Sequence, residues 1–157
     1  MIVVADTSPL NYLILIDEVD LLPALFGQVL LPYAVLQELL HPRTSSKVCG
    51  WAACLPEWID VRSVASVASP VLMQLDLGER EAIQLALELG IGTVLIDEMD
   101  GRQQAERLHL EVRGTLGILE RGAKLGKTDF RRALSKLQQT SFRISPAIRE
   151  AFLKRNP

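Results

Sequence analysis

The chain has few of the residues that build sulfur or imidazole metal sites, and few aromatic rings. Its 157 residues include two cysteines and two histidines, a composition that excludes a cysteine–histidine zinc framework and a disulfide-rich scaffold. Cys49 and Cys54, separated by four residues, are therefore expected to be buried free thiols. Aromatic residues make up 5% of the chain, so little surface is available for stacking on flat ligands.

Long apolar runs and flexible linkers are also absent. No uninterrupted run reaches the ~18 residues of a membrane span, because acidic residues and Pro23 break the richest region, 10–40. The first residues lack the basic region and cleavage site of a secretory signal, and no internal repeat divides the chain. We therefore expect a single domain over residues 1–157, located in the cytoplasm and without a membrane span.

What the chain does contain is an uneven distribution of charge. Residues 1–114 include 7 basic and 16 acidic residues, a net charge of −9, whereas residues 115–157 include 10 and 3, a net charge of +7. Two interpretations stay open. The two parts are either ordinary solvated surfaces that attract each other, or an acidic, metal-binding face beside a basic, phosphate-binding face.

Apolar runs alternate with helical patterns along the chain. The expected strands are 2–5, 28–31, 93–96, 111–113 and an edge strand at 142–144. The expected helices are 9–16, 19–26, one that begins at Pro32, 78–89, 100–108, 115–125, 129–139 and one that begins at Pro146. The middle of the chain has a less regular pattern, and residues 43–47 are expected to form an exposed loop. This alternation predicts an α/β fold with a parallel sheet covered by helices on both faces.

Two aspartates follow predicted strands directly. Asp6 follows four apolar residues, and Asp97 follows the run Thr-Val-Leu-Ile at 93–96. In open α/β sheets, ligands bind at the carboxyl ends of the strands, so we expect these two carboxylates to reach the same edge of the sheet. Asp97 could instead cap the next helix, and Glu98 or Asp100 could take its place.

Two glutamates are candidates to join them. Glu38 lies beside the apolar stripe of its helix, and Glu81 lies in the first turn of the 78–89 helix, where the helix dipole alone would favour a carboxylate. Glu79 is an alternative to Glu81, and Asp100 a supplement to Asp97. Carboxylates ~4 Å apart repel by roughly 4 kcal/mol per pair at an effective dielectric near 20, so a converging group favours a bound cation. An all-oxygen set favours Mg²⁺ or Mn²⁺.

Five short segments together resemble those of the PIN domains, in particular the small prokaryotic proteins related to VapC toxins. The segments are 6–8 (DTS), 32–39 (PYAVLQEL), 78–83 (GEREAI), 95–98 (LIDE) followed by Gly101, Arg102 and Ala105, and 114–119 (GTLGIL). They are similar to the family patterns D-[ST]-[SN], P-x-x-V-x-x-E-L, G-E-x-E-A-I, L-x-D-[DE] with G-R and A, and G-T-x-G-[IL]-L. Each motif is unspecific alone, and the resemblance covers nearly the whole chain.

The resemblance implies a PIN-like three-layer α/β/α fold with a central, mainly parallel sheet of about four to five strands. It also implies an endoribonuclease that hydrolyses RNA phosphodiester bonds with Mg²⁺ or Mn²⁺, and the toxin of a toxin–antitoxin pair. Asp6, Glu38, Glu81 and Asp97 then take the four catalytic, metal-binding positions, with a supporting hydroxyl from Thr7 or Ser8. The implied partners are RNA, a small antitoxin and a second copy of the chain.

Several basic residues are candidates for RNA phosphates. They are Arg102, Lys124, Lys127, Arg131 and Arg132, and the alternative for each is an ordinary solvated helix face. Three other classes compete with the nuclease. A catalytically weak PIN-like module that binds an antitoxin or RNA fits the same residues. An aspartyl phosphotransferase is poorly supported because position 8 is Ser and not a second acid, and a nucleotide-binding domain lacks its glycine motif.

Overall fold

The computed structural model describes residues 1–157 and contains five strands and nine α-helices. The strands are β1 (Ile2–Ala5), β2 (Gln28–Pro32), β3 (Ile59–Arg62), β4 (Thr93–Leu95) and β5 (Glu111–Arg113). The helices are α1 (Thr7–Leu15), α2 (Leu21–Phe26), α3 (Tyr33–Leu39), α4 (Ser46–Ala53), α5 (Leu77–Leu89), α6 (Met99–Arg107), α7 (Thr115–Lys124), α8 (Phe130–Gln138) and α9 (Pro146–Arg155). A short 3-10 helix spans Leu72–Gln74.

The five strands form one sheet in the order β3-β2-β1-β4-β5, and every neighbouring pair is parallel. The chain first builds outward from β1 to β2 and β3, and then returns to the other side of β1 with β4. The strand order therefore reverses between β1 and β4, and a crevice for ligands opens at this point of an open α/β sheet. The predicted parallel sheet is confirmed.

Helices cover both faces of the sheet, because alternate residues of each strand point to opposite sides. Val3 and Ala5 belong to the larger apolar core, which packs against α1, α2, α3, α4, α7 and α8. Val4 belongs to the smaller core, which packs against α5 and α6. These are the three α/β/α layers expected from the alternating pattern.

Two elements of the middle segment were not predicted. Ser45 accepts a hydrogen bond from the backbone N–H of Val48 and starts α4, so the last part of the predicted 43–47 loop is helical. Strand β3 pairs with β2 over four residue pairs, from Val29 with Ile59 to Pro32 with Arg62. Its stability comes from a neighbour that is distant in sequence, so the local pattern was too weak to indicate it.

The predicted edge strand at 142–144 is wrong, since these residues pair with no strand. Phe142 instead packs its ring edge-to-face on Tyr12, with ring centroids 4.9 Å apart. Side-chain burial explains the apolar character of this segment, which resembled a strand. The fifth strand of the sheet is β3.

The two cysteines are free, but they are not buried as predicted. Cys49 is half-buried and Cys54 is exposed. None of the helices combines the length and apolarity that crossing a membrane requires.

Candidate metal centre

Asp6 and Asp97 lie at the ends of the two adjacent strands where the strand order reverses. The backbone N–H of Asp6 donates to the carbonyl of Leu95, at 3.0 Å, and joins the ends of β1 and β4. Asp6 is 4% exposed and precedes α1, yet its carboxylate makes no capping hydrogen bond to that helix. A capping role therefore does not account for Asp6.

Glu38 reaches Asp6 across the start of α5. A Cβ atom added at Gly78 would lie 2.9 Å from Oδ1 of Asp6 and 2.9 Å from Oε1 of Glu38. The absence of a side chain at Gly78 therefore leaves the space in which the two carboxylates approach each other. The hydroxyl of Thr7 donates a hydrogen bond to Oε2 of Glu38, which orients this carboxylate.

Asp97 is oriented by three hydrogen-bond donors. The hydroxyl of Ser8 donates to its Oδ2 at 3.0 Å, and the backbone N–H and hydroxyl of Thr115 donate to Oδ1 and Oδ2, each at 2.7 Å. Thr115 is the fully buried first residue of α7, so Asp97 also stabilises the start of that helix. A carboxylate offers about four acceptor positions, so one remains for another ligand.

Three further acids, Asp76, Glu79 and Glu98, lie near Asp6, Glu38 and Asp97. Asp76 and Glu98 line a cleft with a volume of about 190 Å³. The other residues that line this cleft are Asp6, Thr7, Ser8, Asn11, Tyr12 and Glu38. Glu79 is 5% exposed, and its backbone N–H donates to the carboxylate of Asp76 at 2.9 Å. A Cβ added at Gly101 would meet Oε2 of Glu79, so the small residue at position 101 leaves room for this buried carboxylate.

The structure does not bring Glu81 into this group. Residues two apart on an α-helix point about 200° apart, so Glu79 and Glu81 leave α5 in nearly opposite directions. Glu81 shares its face with Gln84 and Glu88, whose side chains bind the segment at Ser66. Asp100 likewise lies exposed in the first turn of α6 and does not line the cleft.

Burial and mutual repulsion raise the pKa values of two of these acids. Burial, and then the neighbouring carboxylates of Asp76, Glu38 and Asp97, raise the pKa of Asp6 from 3.8 to about 7. Burial raises the pKa of Glu79 from 4.5 to about 8, with Asp76 as the next largest cause. Ionising both groups near neutral pH is therefore costly without a compensating positive charge.

The chemistry of the donor set fits a hard divalent cation. The cleft presents carboxylate and hydroxyl oxygens, with no sulfur or imidazole among its lining residues. Oε2 of Glu79 is buried without a hydrogen-bond partner and faces Gly101, and Glu79 itself does not line the cleft. No three acidic, histidine or cysteine side chains are arranged to hold an ion by themselves. The oxygen donors of the cleft are of the type that hard divalent cations take, and such a cation would keep waters in its remaining positions.

Only one of the basic residues selected from the sequence lies at the site. Arg102 lines a cavity next to Asp97, whereas Lys124, Lys127, Arg131 and Arg132 line neither of the two cavities at the acids. Lys124 forms an ion pair with Glu120 at 3.6 Å. Arg131 donates to the backbone carbonyls of Leu153 and Asn156, which is a structural role within the C-terminal part.

Sequence reasoning assigned no role to Asp76 or Thr115. A pattern was available for Asp76, because Asp76-Leu-Gly-Glu79 has the D-x-x-E spacing of a helix N-terminus. Thr115 was included in a motif without a function, since only the structure shows its two hydrogen bonds to Asp97. Glu98, considered as a substitute for Asp97, lines both the cleft and the larger cavity beside it, whereas Asp97 lines only the larger cavity.

Comparison with known families agrees with these features. The family model DUF3368, described as a PIN domain, matches residues 2–156. This match confirms the resemblance drawn from the five motifs and, with the parallel sheet, the predicted three-layer PIN-like fold. No curated protein and no solved structure matches the chain.

Proposed function

Because this chain belongs to the PIN-domain family, we propose that it is an endoribonuclease that hydrolyses RNA phosphodiester bonds with Mg²⁺ or Mn²⁺. PIN domains are generally nucleases, and the family therefore supports a nuclease-type fold. The choice of RNA, the choice of metal and the residue roles below are proposals.

One observation supports this function above the others: the carboxylates of Asp6 and Glu38 approach the same point above Gly78, at the crevice between β1 and β4. Acids in such a buried group repel one another. A protein gains no stability from this arrangement, so a bound cation is the simplest reason for it.

We assign Asp6, Glu38, Glu79 and Asp97 to the metal-binding positions. Glu79 replaces Glu81 in this proposal because Glu79 is buried against the acidic group and Glu81 points away from it. Asp76 and Glu98 add negative charge to the cleft. Bound here, a divalent cation supplies an activated water and a positive charge for the phosphate oxygens.

Hydroxyl groups beside the cleft orient two of these acids. Thr7 orients Glu38, and Ser8 and Thr115 orient Asp97. Such hydroxyl partners hold each carboxylate in one rotamer before substrate arrives, which lowers the cost of reorganising the site during the reaction.

The test is cleavage of a mixed RNA substrate with Mn²⁺, with EDTA, and by two variants, Asp6→Asn and Asp97→Asn. Both variants are expected to lose about 100-fold or more in rate, the cost of removing a preorganised charge-stabilising group. Glu106→Gln, an exposed acid on α6, is the matched control and is expected to cut like the parent. Cleavage that survives EDTA would contradict the metal mechanism.

Three finer parts of the proposal are supported by the resemblance to VapC-like proteins alone. They are a role as the toxin of a toxin–antitoxin pair, a small antitoxin as partner, and a homodimer. Growth arrest on expression that Asp6→Asn relieves would support the toxin role. Unimpaired growth with active enzyme would contradict it, and the mass in solution tests the dimer.

A further inference from the structure

A second, larger cavity lies beside the acidic cleft. We name it the arginine groove, and its volume is about 820 Å³, within the range of about 300–1,000 Å³ that is typical of ligand pockets. Ser8, Tyr12 and Glu98 line both spaces, and Asp97 lines the groove. The two cavities are therefore adjacent, and Asp97 and Glu98 belong to the lining of the groove.

Three arginines line the groove. Two of them belong to residues 1–114, whose net charge is −9. The three arginines are Arg102 in α6, Arg113 at the end of β5 and Arg143 in the segment between α8 and α9. Neither Arg102 nor Arg143 has an ion-pair partner among the salt bridges of the protein. These two guanidinium groups therefore form no direct ion pair within the protein, although Asp97 and Glu98 line the same groove.

Arg102 is held next to the acids. Its Nη1 donates to the carbonyl of Ile96 at 3.1 Å. A Cβ added at Gly114 would lie 2.6 Å from this Nη1 and 3.0 Å from Oδ1 of Asp97. The half-buried guanidinium therefore stands beside a proposed metal ligand without pairing with it.

Arg113 and Arg143 extend the positive charge away from the acids. Arg113 pairs with Glu111, but its Nε is buried without a hydrogen-bond partner. Arg143 is exposed and makes no side-chain hydrogen bond within the protein. Guanidinium groups bind phosphate oxygens with two parallel hydrogen bonds, so both side chains suit a phosphate chain.

Aromatic and aliphatic side chains also line the groove. Tyr12 and Phe142 meet edge-to-face, the hydroxyl of Tyr12 bonds to that of Ser141 at 3.0 Å, and Ile144 and Phe152 also line the groove. Grooves that combine a line of positive charge with aromatic side chains bind single-stranded nucleic acid, whose bases are free to stack.

We propose that the arginine groove binds single-stranded RNA, with Arg102, Arg113 and Arg143 contacting the phosphates beside the scissile one and the bases lying along Tyr12 and Phe142. The inference rests on the proposed function, since it names the path by which that substrate reaches Asp97. It moves the phosphate contacts from the helical surfaces of α7 and α8 to the groove.

The test measures binding and not cleavage, so that it stays informative if the enzymatic proposal fails. Fluorescence anisotropy follows a labelled single-stranded RNA on the full chain carrying Asp6→Asn, so that the RNA is not cut during the measurement. Arg102→Gln and Arg143→Gln are compared with matched controls, Arg107→Gln in the same helix and Arg149→Gln in α9, both exposed and outside the groove. Arg143 has no internal contact to lose, so its variant is expected to fold.

The groove variants are expected to weaken binding about five- to tenfold each, as for loss of a charge-assisted phosphate contact. The salt dependence of log K should fall by about 0.7 per phosphate contact removed. The controls should change either quantity little. A duplex of the same sequence should bind more weakly than the single strand.

Four outcomes would contradict RNA binding by the groove. They are equal losses of affinity in the groove and control variants, no loss of affinity in either, tighter binding of the duplex than of the single strand, and no RNA binding by the parent. RNA binding that depends on the groove arginines, without Mn²⁺-dependent cleavage, would contradict the proposed enzyme but support RNA binding by the groove. Cleavage that persists unchanged in Arg102→Gln and Arg143→Gln would contradict the role of the groove but support the proposed enzyme.

Discussion

Asp6 and Glu38 share one space, above the Cα atom of Gly78, although 32 residues separate them along the chain. At distances of 2.9 Å from an added Cβ to Oδ1 of Asp6 and to Oε1 of Glu38, any side chain at position 78 would require both carboxylates to shift.

Gly78→Ala should reduce metal binding and cleavage without changing any charge. The new methyl group displaces the carboxylates of Asp6 and Glu38, and displacements of about 1 Å in a catalytic site can cost ~100-fold in rate. Gly50→Ala in α4, where an added Cβ meets nothing within 4 Å, is the control. It should stabilise the fold by about 0.5–1 kcal/mol and leave cleavage unchanged. Equal rates for both variants would contradict the shared space.

Asp6→Asn should stabilise the metal-free protein while removing its response to metal. The amide fills the same volume as the carboxylate but does not ionise, so the repulsion from Glu38 and Asp97 is lost. Thermal unfolding in EDTA should give a higher Tm than the parent. Adding Mn²⁺ should raise the Tm of the parent and leave that of the variant almost unchanged, since a ligand stabilises only the state that binds it.

The stability of the metal-free protein should fall as pH rises through the range from about 4 to 8. Burial raises the pKa of Asp6 to about 7 and that of Glu79 to about 8. Across this window the unfolded chain has lost protons that the folded protein still holds, so rising pH favours unfolding. The measurement is Tm against pH in EDTA. The Asp6→Asn variant should show a shallower slope, and a Tm that rises over this window would refute the prediction.

Glu79→Gln should impair Mn²⁺-dependent cleavage at least about tenfold more than Glu81→Gln. The side chain of Glu79 is buried beside the acids, whereas that of Glu81 leaves α5 on the other side. Gln has the shape of a protonated Glu, so the fold should survive the change at position 79. Rates measured at saturating RNA, with Tm in EDTA as the check on folding, decide between the two. A larger loss at position 81 would restore the assignment drawn from the motif.

Sequence alone determined the class of fold and two of the acids. Apolar runs of β-branched and aliphatic residues are local features, so β1 and β4 could be recognised without knowledge of their neighbours. Each run ends near an aspartate, and parallel strands bring such residues to the same edge of the sheet. The five motifs identified the PIN-domain family, as the match over residues 2–156 confirms.

Tertiary structure decided the elements and side chains that depend on distant neighbours. Strand β3 exists through its pairing with β2, and the segment at Phe142 packs on Tyr12 and forms no strand. The direction of Glu79 depends on the rotation of α5 against the sheet, which short motifs containing two glutamates do not determine. The same holds for the groove, whose arginines come from α6, from β5 and from the segment between α8 and α9. Local patterns are set by neighbours along the chain, whereas a site is set by which surfaces pack together, and packing is decided by the whole core.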